Sequence, residues 1–186
     1  MTLLREIKEQ DLVTLIQDES QRNKAFEWIV RENKKQIYFH VRRMVLSHED
    51  ADDITQNTFI KAWKALSKFR GESKMSTWLF RIATNESITF LNKNKRLHGV
   101  SMDDVENQLP TALMEDVLFD GNEIETHLQL AIATLPQKQK AVFLLRYYDE
   151  MPYKEISEIT GTSVGGLKAS YHHAVAKIEQ YIKSCN

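Results

Sequence analysis

The 186-residue chain is 42% hydrophobic and 27% charged, the balance of a soluble globular protein with room for one ordinary domain or two small ones. No apolar run approaches the ~18 residues of a membrane helix and the first residues carry no signal-peptide core. The single cysteine, Cys185, excludes a disulfide framework, so a reducing cytoplasm is the expected setting.

The net charge of −1 conceals a partition. Residues 1–99 hold 18 Lys and Arg against 13 Asp and Glu, residues 100–126 hold 8 acids and no base, and residues 127–186 hold 7 bases against 5 acids. Two mildly basic blocks flank an acidic bridge, which matters more for partners than the total does.

Helical spacing of Leu12, Val13, Leu15 and Ile16 predicts a short helix over Glu9 to Asp18, closed by Glu19-Ser20. A longer helix follows from about Gln21 to Leu46, with Phe26, Ile29, Val30, Ile37, Val41, Met44 and Val45 on its apolar side. Ser47-His48-Glu49-Asp50 breaks and recaps the chain. Four acids in the five residues Glu49 to Asp53 then sit at the positive end of a helix reaching Leu66, whose stripe is Ile54, Phe59, Trp63 and Leu66. Trp63, Trp78 and Phe80 fall on apolar stripes and read as core.

The break at Phe69-Arg70-Gly71-Glu72-Ser73 has no apolar face to hide, so it is an exposed loop. Ser76 or Thr77 suits the cap of a helix restarting at Trp78, with Trp78, Ile82, Ile88 and Leu91 inward. Its other face carries Arg81, Asn85, Asn92, Lys93, Lys95 and Arg96, with Glu86 the sole acid among them. An acidic helix, a loop and a basic helix in succession suit two partners of opposite charge, a protein and a nucleic acid.

Residues 98–122 contain Gly99, Pro110 and Gly121, carry acids only, and show scattered apolar residues, the composition of a linker. Stretched out, roughly 25 residues reach about 80 Å, enough to join two units about two turns of duplex, ~70 Å, apart. From Glu123 the pattern returns with Leu128, Ile132 and Leu135, and Pro136 opens a new helix through Tyr148. A short helix with Ile156 and Ile159 inward, a turn at Gly161, and a second helix with Leu167, Tyr171, Ala174 and Ile178 inward make a helix-turn-helix. The expected fold is all-α, with two helical domains at 1–97 and 123–186 joined by the acidic linker 98–122.

Asp50-Ala51-Asp52-Asp53-Ile54-Thr55-Gln56-Asn57-Thr58-Phe59, Phe69-Arg70-Gly71-Glu72-Ser73 and Ser76-Thr77-Trp78-Leu79-Phe80-Arg81-Ile82-Ala83-Thr84-Asn85 resemble region 2 of bacterial sigma factors of the extracytoplasmic-function (ECF) type. Leu135-Pro136-Gln137-Lys138-Gln139-Lys140-Ala141-Val142-Phe143-Leu144-Leu145-Arg146-Tyr147 and the helix-turn-helix after it resemble region 4. The resemblance implies a transcription initiation factor that binds RNA polymerase core, through the clamp of the largest subunit and the flap of the second-largest, and directs it to promoter DNA.

Carried over residue by residue, the resemblance assigns Asp52, Asp53, Gln56, Asn57 and Phe59 to the clamp, with Asn57 standing where an acid is common. Arg70, Ser73 and Lys74 belong to the loop that captures a flipped base of the −10 element. Arg81 and Asn85 read neighbouring bases, and Lys93, Lys95 and Arg96 hold phosphates. In region 4 it assigns Ser163, Gly165, Lys168, Ser170, His172, His173 and Lys177 to the −35 element. Arginines usual in the family are replaced here at Ser170, His173 and Val175, which implies weaker phosphate attraction and a shallower salt dependence for this unit. The linker is either a solvated spacer or, by resemblance, the segment that threads the polymerase cleft. An anti-sigma partner is also implied.

Motifs of other classes fit the chain less well. Gly161-Thr162-Ser163-Val164-Gly165 formally fits a hydrolase nucleophile elbow, but that motif needs a strand before it and here a helix precedes it. The acids near Asp52 lack the glycine and distal glutamate of a calcium loop, and adjacent His172 and His173 point about 100° apart on a helix. No cofactor, metal or catalytic residue is expected. The alternative function is a stand-alone helix-turn-helix regulator with an N-terminal sensing or dimerisation unit.

Overall fold

The computed structural model describes residues 9–98 and 123–185, all helix or connecting turn. In order these are α1 (Glu9–Gln17), α2 (Arg22–Val45), α3 (His48–Ala65), a 3₁₀ turn at Leu66–Lys68, α4 (Met75–His98), α5 (Glu123–Ala133), α6 (Gln137–Tyr147), α7 (Tyr153–Thr160) and α8 (Val164–Ser184). The expected linker, apart from His98 at the end of α4, lies outside the described residues.

Local chemistry sets the helix ends. Leu46 adopts a left-handed conformation, φ 68°, and its N–H donates to the Arg42 carbonyl, stopping α2. Ser47 then caps α3, accepting from the Asp50 N–H at 3.2 Å. Pro136 and Pro152 stand immediately before α6 and α7, where a missing N–H costs nothing. Gly161, φ 68°, closes α7, and Ser163 caps α8 by accepting from Gly166 N–H at 3.3 Å. That bond gives the Ser163 hydroxyl a helix-capping role, with α7 where a nucleophile elbow would need a strand.

Helix α4 begins a turn earlier than the expected restart at Trp78. Met75 is buried and anchors the first turn, so Ser76 and Thr77 lie within the helix instead of capping it. Gly71 has φ 71°, and a Cβ there would meet Val13 Cγ2 of α1 at 2.8 Å, so the loop before α4 passes tightly beneath α1.

The apolar stripes of α1 to α4 meet in one cluster that includes Leu12, Ile16, Ile29, Ile37, Val41, Ile54, Leu66, Leu79 and Phe80. This cluster continues without a break into Val142, Leu145, Met151, Ile156, Ile159 and Leu167 of the C-terminal helices. A second cluster joins Met44 of α2 to Ala131, Ile132, Leu135, Phe143, Leu144, Ala174 and Ile178. Fully burying each large side chain contributes roughly 1.5–3 kcal/mol, and much of that burial is shared across the two units.

Candidate functional site

Helices α2 and α3 pack side by side and leave a cleft of about 740 Å³ along their outer edge. Asp52, Asp53, Gln56 and Phe59 line it from α3, with Thr55, Ile60 and Trp63, and Phe26, Val30 and Lys34 face them from α2. Four of the five residues expected to touch polymerase are thus brought together. Asn57 is exposed but does not line the cleft.

Phe59 is buried, and its ring meets Phe26 edge to face at 6.5 Å, so it forms the floor. Trp63 differs from its expected core role. It is 40% exposed and leans on Phe26 at 5.0 Å, making an apolar wall beside Ile60, itself 44% exposed. Spacing puts Trp63 on the apolar face of α3, but among the described residues that end of the face stays partly open. The Thr55 hydroxyl is buried at the same cleft with no hydrogen-bond partner among the described residues. An acidic rim over an aromatic floor fits a basic, amphipathic protein surface.

On α4, a 100° step per residue places Arg81, Asn85, Asn92, Lys95 and Arg96 within an arc of about 100°. All five are exposed, and Lys93, also exposed, stands about 60° beyond the edge of the arc. The single acid of α4, Glu86, is held by Lys61 of α3 at 2.6 Å, which leaves the row on this helix cationic and amide-bearing. Arg70 is exposed in the loop before α4, Ser73 is half-buried, and Lys74 reaches across to Glu155 of α7 at 2.7 Å.

On α8, Gly165, Lys168 and His172 share one exposed arc with Ala169 and Ala176, two small residues that residue chemistry did not single out. His173 flanks it. Ser170 and Lys177 turn away, and the Lys177 ammonium donates to Gln139 of α6 at 3.1 Å. Among the described residues nothing lies within 4 Å of a Cβ built on Gly165, so the helix start is open to a close approach. Val175, one of the positions where the resemblance leads one to expect an arginine, is half-buried against the second cluster.

The two units are closed on one another. His40 of α2 is fully buried; its Nδ1–H donates to an Asp149 carboxylate oxygen at 2.8 Å, and Nε2 lies 3.0 Å from the Thr84 hydroxyl of α4. Arg43 lies 3.8 Å from the other Asp149 oxygen and stacks over the Tyr148 ring at 4.4 Å. Burial pushes the Tyr148 phenol above its usual range. Thr77 donates its hydroxyl to Glu155 at 3.2 Å beside the Lys74 pair. Thr77 and Thr84 border the Arg81 and Asn85 row, so α6 and α7 rest against one side of it.

Residues 29–97 match the family model for Sigma-70 region 2, and residues 127–178 that for Sigma-70, region 4. The chain is 31% identical over 168 residues to the ECF RNA polymerase sigma factor SigW of Bacillus subtilis, covering 86% of this chain and 89% of that protein. It is 28% identical over 199 residues to the ECF RNA polymerase sigma-E factor of Haemophilus influenzae, covering 97% and 98%. Among solved structures it is similar to CnrH in complex with the cytosolic domain of CnrY, with TM-score 0.70 and 20% identity over 96% of this chain and 99% of that one. It is similar too to the sigma factor RpoE in complex with the anti-sigma factor NepR from Bartonella quintana, with TM-score 0.66 and 21% identity over 86% and 98%. With both regions present in order and an ECF relative matched along most of its length, the chain belongs to the ECF RNA polymerase sigma factors and is a transcription initiation factor.

Proposed function

We propose that the α2–α3 cleft docks on the clamp of the RNA polymerase largest subunit, and that the flap of the second-largest subunit engages the C-terminal unit. The N-terminal domain, residues 1–97, then engages the −10 element. Its loop residues Arg70, Ser73 and Lys74 capture an extruded base, Arg81 and Asn85 read its neighbours, and Lys93, Lys95 and Arg96 hold the backbone. The C-terminal domain, residues 123–186, sets α8 in the major groove of the −35 element, with Gly165, Lys168, His172 and His173 nearest the bases. Residues 98–122 span the interval, and catalysis stays with the polymerase, in the cytoplasm.

The observation that carries this reading is the cleft. An acidic rim of Asp52 and Asp53 and an aromatic floor of Phe26, Phe59 and Trp63 belong to a protein-binding surface, on the helix next to the cationic row of α4. A stand-alone regulator has no need of such a surface and is not favoured. The two similar solved structures are complexes, one of them with a named anti-sigma factor, which supports an anti-sigma partner for this chain.

The test is reconstituted transcription with core polymerase across a promoter library, wild type against Asp53→Lys. Promoter-selective transcripts from the wild type, with core affinity lost in a variant that melts normally, are the expected result. Unchanged core affinity in Asp53→Lys refutes the assignment of the cleft, and specific duplex binding by the chain without polymerase favours the regulator.

A further inference from the structure

Lys35, Phe39 and Arg43 follow one another at four-residue intervals on α2 and face the cleft between the two units, a space of about 630 Å³ that Lys74, Ser76 and Phe80 line from the α4 side. Cations alternating with a half-exposed aromatic ring along one groove are the pattern that tracks a single-stranded nucleic-acid backbone. Glu32 falls in the same arc of α2, but its carboxylate is held by Arg31 at 3.0 Å and it does not line the cleft.

The opposite wall of this cleft is acidic: Asp149, Glu150 and Glu155 of the C-terminal unit. Two of these carboxylates sit where phosphates would sit on a bound strand, Asp149 against Arg43 and Glu155 against Lys74. Lys35 is exposed and makes no ion pair among the described residues. A compact chain of this length has a radius of gyration of about 16 Å, so the closed form is too small to hold two sites ~70 Å apart. Engaging both promoter elements must therefore draw α6 and α7 off this face and leave the cations of α2 bare beside the −10 row.

We propose that Lys35 and Arg43, continuing from Lys74, form a second nucleic-acid surface that binds the backbone of the melted promoter strand, and that Asp149 and Glu155 mask it by charge mimicry when the units are closed. This deepens the −10 assignment above and rests on the sigma-factor reading. The row extends the single-strand path from α4 across to α2, and the masking acids couple domain closure to loss of that path.

Two arms test it. In holoenzyme, where the units are apart, Lys35→Ala/Arg43→Ala binds a −10 fork with an exposed single strand less tightly, and the slope of log affinity against log salt falls by about 1.4, at ~0.7 per phosphate. Asp149→Asn/Glu155→Gln leaves that binding unchanged. In the free full-length chain, Asp149→Asn/Glu155→Gln binds a single-stranded oligonucleotide about tenfold more tightly than wild type, and adding the Lys35 and Arg43 changes cancels the gain. Arg43→Lys, which keeps the charge, retains most of the salt slope and separates a phosphate contact from a packing defect. An unchanged slope in holoenzyme, or a gain in the free chain that persists without Lys35 and Arg43, overturns the proposal. Failure of the wild type to make any promoter-selective transcript sinks the sigma-factor reading instead.

Discussion

Lys140, in the second helix of the C-terminal unit, is 5% exposed, and burial alone pulls its ammonium from 10.5 down to about 8. At 1.36 kcal/mol per pH unit, holding the charge inside costs roughly 3 kcal/mol. Below about pH 8 the group is charged in both folded and unfolded chains, and the folded state bears the whole penalty. Between about 8 and 10.5 the unfolded chain binds more protons, so stability rises with pH; above that both states are neutral and the rise ends. Lys140→Met keeps the length of the stem and removes the charge, and at pH 7 it is expected to stabilise the chain by about 2–3 kcal/mol. Urea unfolding of wild type and variant between pH 7 and 10 measures this as a difference of differences, in which tyrosine and cysteine titrations common to both proteins cancel. A variant no more stable than wild type at pH 7, or an advantage that does not shrink above pH 8, refutes the reasoning.

Gly71→Ala forces a Cβ to within 2.8 Å of Val13 Cγ2 at φ 71°, and should lower stability by about 1–3 kcal/mol, seen as a depressed melting temperature together with weaker −10 fork binding by holoenzyme. Thr55→Val removes a buried hydroxyl that has no partner among the described residues and should raise stability by about 1 kcal/mol in denaturant titration; a loss of stability would show that the hydroxyl is satisfied in solution. Trp63→Ala, at a side chain 40% exposed, should leave the unfolding midpoint within about 1 kcal/mol of wild type yet weaken core-polymerase binding by about 2 kcal/mol or more, as expected of an aromatic anchor. Ser163→Ala removes the cap of α8 and should cost about 1 kcal/mol in thermal unfolding.

Wherever a helix buries one face on its sequence neighbours, its spacing is legible. Ile29, Ile37 and Val41, or Leu167, Ala174 and Ile178, recur as a helix needs and are buried as that recurrence implies. Residue chemistry likewise marked the caps at Ser47 and Gly161 and the cationic face of α4. Periodicity does not tell whether a partner covers a given end of an apolar stripe. Trp63 and Phe59 share one stripe, yet Phe59 is buried and Trp63 walls an open cleft. The closure was invisible for a different reason. His40 and Asp149 are 109 residues apart and Lys74 and Glu155 are 81, and neither pair belongs to a local pattern that spacing can reveal.

The contacts at the closure differ in what they can supply. An ion pair such as Lys74–Glu155, with the lysine side chain 59% exposed, is worth at most about 1 kcal/mol. The His40–Asp149 bond is fully desolvated on the histidine side and would leave a buried donor unsatisfied if broken without rehydration. The apolar seam through Met151, Leu145 and Ile156 supplies the larger part, and it has no directional preference of its own. Cohesion therefore comes from the seam, while the polar pairs set which faces meet. If the closed form outnumbers the open one a hundredfold, which takes only ~2.7 kcal/mol, apparent affinity for polymerase and promoter falls by the same factor. If Arg43 and Lys74 receive the strand as proposed, polymerase docking that parts the seam also bares the charge that binds DNA. The energy of closure is then returned in part as phosphate contacts, which lets one interface hold the free chain shut without blocking initiation.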